Sequence, residues 1–269
     1  MPTLTLPEAT LHYEIGGSGP PLMLVAGMAS DSASWAPIVP RLERDFTVIR
    51  PDNRSTGRTL PVDAPASVSI WAQDAISLLD HLGIDRAQVM GHSLGGIIAT
   101  QIAMTAPDRV LRLVLLASAP LRLPRNDALF AVMLALRGPG LPPDLWLRVF
   151  LPWLFHPRFF DDPAAQEIAI TQTLAYPHAQ SATAMAHQAR ALASFDPRPL
   201  QAGPGVPVLA LLSTDDLLIP ANAARAALAA FADLRVVSLS GAGHSLHWDA
   251  PEQVLDHILP FLHDERTLP

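Results

Sequence analysis

The sequence predicts an α/β protein built on a doubly wound, mostly parallel sheet that is interrupted by a helical insertion. Two patterns carry this reading. Short apolar runs alternate with helical patterns over residues 1–118 and again over 196–269, which is the signature of strand–helix–strand units. Between them, residues 119–195 contain no strand-like run and are broken by Pro124, Pro139, Pro142, Pro143, Pro152, Pro157, Pro163 and Pro177. The expected organisation is therefore one core domain, 1–118 with 196–269, interrupted by a helical insertion over 119–195.

Residues 11–15 and 22–25 are expected strands separated by Gly16-Gly17-Ser18-Gly19-Pro20, a hairpin-like turn. Residues 35–44 read as a helix and 46–50 as a strand. A helix follows over 70–82, where Ile70, Trp71, Ala75, Leu78, Leu79 and Leu82 recur at helical spacing and Gly83 ends it. Residues 88–90 form a strand and 94–106 a helix stopped by Pro107. Residues 110–116 are continuously apolar, as a central parallel strand covered on both faces requires. After the insertion come a strand at 208–212, a helix at 221–231, a strand at 235–239 and a helix at 253–262.

Composition narrows the function classes. Of 269 residues, 49% are hydrophobic and 16% charged, so a large core can form. The net charge is −7 and no run of basic residues occurs, which argues against nucleic acid as a partner. All 18 basic residues are arginine, and cysteine is absent, which excludes disulfides, thiolate metal sites and a cysteine nucleophile. No histidine cluster has metal-ligand spacing, and no cofactor motif is present, so neither a metal nor a cofactor is expected. The N-terminus lacks the basic start and apolar stretch of a secretory signal, and no apolar window is long enough to span a membrane. The expectation is a cytoplasmic protein without a membrane partner, possible as a homodimer.

The most informative segment is Gly91-His92-Ser93-Leu94-Gly95-Gly96, lying between the strand at 88–90 and the helix that follows. Strand, G-x-S-x-G and helix in that order define a nucleophile elbow. The turn is too tight for side chains two positions either side of the serine, and Gly91 and Gly95 stand there. A serine hydroxyl is a weak nucleophile and needs a histidine base oriented by a carboxylate. In open α/β sheets such groups gather in the loops after the strands. Those loops read Ser213-Thr214-Asp215-Asp216-Leu217-Leu218-Ile219-Pro220 and Ser240-Gly241-Ala242-Gly243-His244-Ser245, so Ser93, an aspartate and His244 follow in the order Ser, Asp, His.

With these motifs the chain resembles the α/β-hydrolase superfamily over essentially its whole length. The resemblance implies an eight-stranded sheet with a helical cap. The family pattern G-x-x-D-x-x-x-P assigns the catalytic acid to Asp216, with Asp215 the other candidate, and has Ser213 in place of the usual glycine. It also implies an oxyanion hole from the backbone N–H groups of Leu94 and Met28, although the usual His-Gly of that loop reads Ala26-Gly27 here. The signature D-x-R-G-x-G reads Asp52-Asn53-Arg54-Ser55-Thr56-Gly57. Arg54 is then either a substrate contact or, more often in this fold, a loop brace. The candidate substrate contacts are Gly27, Arg54, Trp153, His187 and Arg190. Among capped relatives the sequence is similar to small carboxylesterases, enol-lactonases and aminoacrylate-hydrolase-like proteins. These imply acyl transfer from a small ester, lactone or activated carbonyl to water. A C–C bond hydrolase with the same triad, or a receptor-like relative with little turnover, are the alternatives.

Overall fold

A computed structural model describes residues 2–264. Eight strands, β1 (Thr3–Leu6), β2 (Ala9–Gly17), β3 (Pro21–Val25), β4 (Thr47–Pro51), β5 (Ala87–His92), β6 (Val110–Leu116), β7 (Val208–Ser213) and β8 (Leu234–Leu239), form one sheet in the order β1-β2-β4-β3-β5-β6-β7-β8. From β4 to β8 every neighbouring pair is parallel; β1 and β2 are added antiparallel at one edge. The sheet reverses winding around β3, so the loops after β3 and β5 meet at a topological switch point, where open sheets form their clefts.

Helices are α1 (Val39–Leu42), α2 (Val68–His81), α3 (Leu94–Thr105), α4 (Pro124–Ala135), α5 (Leu145–Leu154), α6 (Pro163–Ala175), α7 (Ala182–Ala193), α8 (Ala221–Ala227), α9 (Leu246–Asp249) and α10 (Pro251–Leu262). The period-2 alternation of the central strands sorts their side chains into two cores. Met23, Val25, Val89, Leu113 and Leu115 pack with Trp71 and Leu78 of α2 and Ile98 and Ile102 of α3. Leu22, Leu24, Met90, Val114 and Leu116 face the other way, against Trp35, Ile38 and Val254, Leu255 and Ile258 of α10. Strands covered on both faces in this way are near-continuously apolar.

Two expectations are corrected. Residues 11–15 and 22–25 do not form a hairpin: β2 pairs antiparallel with β4, and β3 lies parallel between β4 and β5. The glycine-rich segment is thus a crossing, not a two-strand turn. The helix expected over 35–44 is a 3₁₀ turn, Ser32–Trp35, followed by the single turn α1, because Pro37 and Pro40 deny the backbone donors that a continuous helix needs. The strand β1 was not read from the sequence; its four residues lie at the sheet edge and none is fully buried.

Between β6 and β7 lie α4 to α7 and no strand. Phe130 and Met133 of α4, Phe150 of α5 and Met185 of α7 belong to the same apolar cluster as Met28 and Leu94. Leu147, Leu151 and Ile170 form a small separate cluster between α5 and α6.

Arg54 is a brace. It is 4% exposed, and its Nε and Nη2 donate to the two carboxylate oxygens of Asp74 on α2 at 2.6 and 2.8 Å. Its Nη1 and Nη2 also donate to the carbonyls of Pro65 and Pro7. One guanidinium thus joins the loop after β4, the start of the sheet and α2. Removing one partner of a buried pair strands the other charge. Asp74→Asn is expected to lower the unfolding free energy by about 3–5 kcal/mol, read as a fall in the urea midpoint at unchanged slope.

Candidate active site

Every residue from Ala87 to Thr100 is buried except Ser93, which is partly exposed. The chain turns there with φ 52° and ψ −121° at Ser93, a left-handed conformation that a serine adopts only when its surroundings enforce it. Those surroundings are close backbone contacts. A Cβ on Gly91 would overlap the Gly95 carbonyl, and one on Gly95 would overlap the Val25 carbonyl at the end of β3. Ser93 N–H donates to Leu116 of β6 at 3.0 Å, and the Ser93 carbonyl accepts from Gly96 N–H at 2.9 Å and Ser118 Oγ at 2.6 Å. The serine is therefore held at the corner by β3, β6 and its own helix, with its side chain directed outward at the N-terminus of α3.

Asp216 and His244 are brought together as the sequence predicts. Nδ1 of His244 and Oδ2 of Asp216 are 2.8 Å apart, with both side chains almost fully buried. The other carboxylate oxygen, Oδ1, accepts from Leu218 and Ile219 N–H, each at 2.8 Å, so the carboxylate is fixed in place. Asp215 is exposed and caps Gly241 N–H instead, which separates the two candidate acids. Ser213, in place of the family's glycine, hydrogen-bonds through Oγ to the Ala242 carbonyl and so ties the aspartate loop to the histidine loop. On the far side Asp249 Oδ2 accepts from Gly243 N–H at 2.7 Å and His156 N–H at 2.9 Å, and Ser245 N–H donates to the Leu154 carbonyl at 2.8 Å. These bonds attach the histidine loop to the end of α5.

Met28 and Leu94 both line a cavity of about 50 Å³ that contains Ser93. Its walls are otherwise mainly apolar, with Ile97, Leu121, Phe130 and Leu192 among them. Gly27 packs against the elbow; a Cβ there would come within 3.3 Å of the Ser93 Cβ. The remaining predicted substrate contacts lie elsewhere. Trp153 packs on the core with Arg125 over its ring at 5.8 Å. Arg190 is exposed and borders neither the Ser93 cavity nor the larger one described next. His187 Nδ1 is engaged with Ser55 Oγ at 2.8 Å.

A larger cavity, about 480 Å³, opens between the loop after β3 and helices α5 and α6, walled by Trp146, Phe155, Phe159, Tyr176 and Trp248. Its carboxylates are already partnered. Asp31 accepts from Tyr176 Oη and Ala33 N–H, and Asp249 is held as above. Burial pushes both carboxyl groups above their ordinary range, against these hydrogen bonds.

Sequence reasoning missed two sets of residues, His247 with its ring cluster and a pair of glutamines, while the elbow motif already placed His92 as packing there. His92 and His247 form a ring cluster at the catalytic candidate: the His92 ring lies tilted 4.9 Å from His244 and edge-on 4.7 Å from His247, and Trp35 lies 5.0 Å from His247. His92 Nε2 is 3.0 Å from the His244 carbonyl. Burial, and then the charges of neighbouring histidines, pull His92 well below its ordinary value; burial takes His247 down to about 3. Both are therefore neutral at physiological pH. Position alone offered no signal for His247, whereas His92 inside the elbow motif did. The second set is Gln180 and Gln188, polar residues of the insertion that carry no motif.

Among the described residues, no group of three or more His, Cys, Asp or Glu side chains is placed to hold a metal ion, and no helix is long and apolar enough to cross a membrane.

A strained serine between β5 and α3, with a buried Asp–His pair on the loops after β7 and β8, defines an α/β-hydrolase site. The family model described as "Alpha/beta hydrolase family" matches residues 22–257, and the chain belongs to that family. It is 30% identical over 258 residues to a protein of Azorhizobium caulinodans named putative carbamate hydrolase RutD, covering 94% of this chain and 95% of that one. It is 38% identical over 120 residues to the 2-hydroxymuconate semialdehyde hydrolase of a Pseudomonas species, covering 43% and 42% of the two chains. The enol-lactonase structure from Burkholderia xenovorans LB400 superposes with a TM-score of 0.85 at 26% identity, covering 98% of this chain and all of that one.

The buried histidines make stability depend on acid in a defined direction. A histidine whose folded pKa is depressed favours the folded state above its unfolded pKa, near 6.5, and loses that contribution as pH falls toward the folded value. For His247 the window runs from about pH 6.5 down to about 3. His247→Asn is expected to flatten the fall in melting temperature between pH 7 and pH 4 in calorimetry; an unchanged slope would count against a buried neutral imidazole.

Proposed function

We propose that the protein is a serine hydrolase that transfers a small acyl group to water, with Ser93 as nucleophile, His244 as general base and acid, and Asp216 as its orienting carboxylate. The observation that carries this reading is the buried 2.8 Å Asp216–His244 pair, linked by the 3.0 Å His92 Nε2–His244 carbonyl contact to the residue preceding Ser93, which is held in a strained, partly exposed turn. Asp216 on Nδ1 leaves Nε2 as the nitrogen that accepts the Ser93 proton. Ser93 Oγ then attacks the carbonyl carbon, and the oxyanion forms against the N–H groups of Met28 and Leu94. His244 passes the proton to the leaving group as its bond to the acyl carbon breaks. A water, deprotonated by His244 in turn, attacks the acyl-enzyme, and collapse of the second oxyanion releases the acid and restores Ser93.

The small apolar cavity at Ser93 supports a short acyl group rather than a long chain. Esters, lactones and carbamates all present a carbonyl to the same machinery, and the likeness to an enol-lactonase and to a protein named carbamate hydrolase favours this group. The insertion, residues 119–195, serves in this reading as the cap that closes over Ser93. A second reading, cleavage of a C–C bond next to a carbonyl, is favoured by the partial likeness to 2-hydroxymuconate semialdehyde hydrolase.

Hydrolysis of p-nitrophenyl acetate or butyrate should fall by about 10⁴-fold or more in Ser93→Ala with the melting temperature preserved. Asp216→Asn should lose about 10³-fold or more, while Asp215→Asn should keep parent turnover. Parent-like hydrolysis by Ser93→Ala would overturn the assignment. A slow single acylation without turnover on a panel of short esters, lactones and carbamates would point to a receptor-like protein instead.

A further inference from the structure

The loop that follows β3 is held from the insertion. Gln188 of α7 is fully buried, and its Oε1 accepts the N–H of Ala29 at 2.9 Å across 159 residues of sequence. Ala29 stands at φ 59°, a left-handed conformation for a residue with a Cβ, immediately after Met28. The same Oε1 accepts from Gln180 Nε2 at 3.0 Å, and that amide also donates to the Ser55 carbonyl at 2.7 Å. Ser55 is a second left-handed non-glycine residue, at φ 70°, and its hydroxyl meets His187, the neighbour of Gln188. Two strained corners of the core are thus pinned by one turn of α7 and the residue Gln180 before it.

We infer that Gln188 is the positioning residue of the oxyanion hole. The inference rests on the reading of Ser93 as nucleophile and of Met28 N–H as an oxyanion donor. The peptide unit joining Met28 to Ala29 is planar, so fixing its N–H on Gln188 also fixes the Met28 carbonyl and the ψ angle of Met28. Beside it, Asn53 Nδ2 holds the Ala26 carbonyl at 3.1 Å. Met28 N–H is then oriented from both sides, by Asn53 upstream and Gln188 downstream. Ala26 itself supplies no polar side chain to brace this loop, and the insertion supplies one in its place. The insertion would therefore complete the hole as well as cover it, because an isolated left-handed Ala29 without an acceptor for its N–H would relax.

The test compares Gln188→Met, which keeps length but removes the acceptor, with Gln188→Glu, which keeps an acceptor. For p-nitrophenyl butyrate, Gln188→Met should lower kcat by roughly 10- to 100-fold with KM within about twofold, because only transition-state stabilisation is lost. Affinity for a boronic acid that forms a tetrahedral adduct on Ser93 should weaken by a similar factor, while affinity for butyrate, the product, should not. Gln188→Glu should recover a substantial part of both losses. Parent kcat in folded Gln188→Met would overturn the inference, as would losses that follow only the folded fraction or that appear equally in product binding. If Ser93→Ala retained turnover, the underlying reading would fail instead, so the two failures are distinguishable.

Discussion

The structure depends on one close approach: the backbone of the elbow lies against the end of β3. Gly95 sits so near the Val25 carbonyl that no side chain fits between them, and Gly91 lies equally near Gly95. This contact brings α3 onto the sheet at the switch point and puts Ser93 and Met28 on one small cavity. It also enforces the unfavourable φ of Ser93, whose strain of the order of 1–3 kcal/mol is offset by the bonds to Leu116 and Ser118 and by the packing of α3. The core around it is among the driest parts of the molecule, with Ile98, Ile102, Val89 and Leu113 fully buried.

Around that fixed point, polar side chains do the remaining positioning, and most of them link segments far apart in the chain. Ser213 joins the aspartate loop to the histidine loop; Asp249 joins the histidine loop to the insertion; Arg54 joins the loop after β4 to α2. Ser213 and Arg54 are buried and Asp249 is half-buried, and an unpaired polar group in such places is destabilising. The stacked His92 and His247 belong to the same economy of space. Burial holds both rings below the ordinary imidazole range, and they fill the volume next to His244 as uncharged groups.

Much of this was legible in the sequence, for identifiable physical reasons. The elbow was readable because steric exclusion at Gly91 and Gly95 imposes residue types at fixed spacing. An Asp–His pair was readable because strand ends in a parallel sheet deliver their loops to one edge, and the family pattern chose Asp216 over Asp215. The strand pairing of 11–15 was misread because a glycine-rich connection looks the same whether it closes a hairpin or crosses to another strand. Trp153, His187 and Arg190 show the same limit from another side. A polar or aromatic residue in a plausible place carries no mark of which neighbour it will meet, and His187 met Ser55. Gln188 carried no mark at all, since its importance comes wholly from where α7 lands.

That landing has a consequence for how the molecule reaches its working form. The bonds Ala29–Gln188 and His92–His244 span 159 and 152 residues, whereas the elbow is held from nearer in the chain, by β3, by Leu116 and by Ser118 at a separation of 25. Contacts of such long sequence separation form late, because their loop-closure entropy must be met before they stabilise anything. A chain emerging from the ribosome can therefore own a finished elbow while Asp216, His244 and the loop braces are still unplaced. On the proposed mechanism, turnover then becomes a readout of complete folding, and a half-made molecule carries its serine without the means to use it.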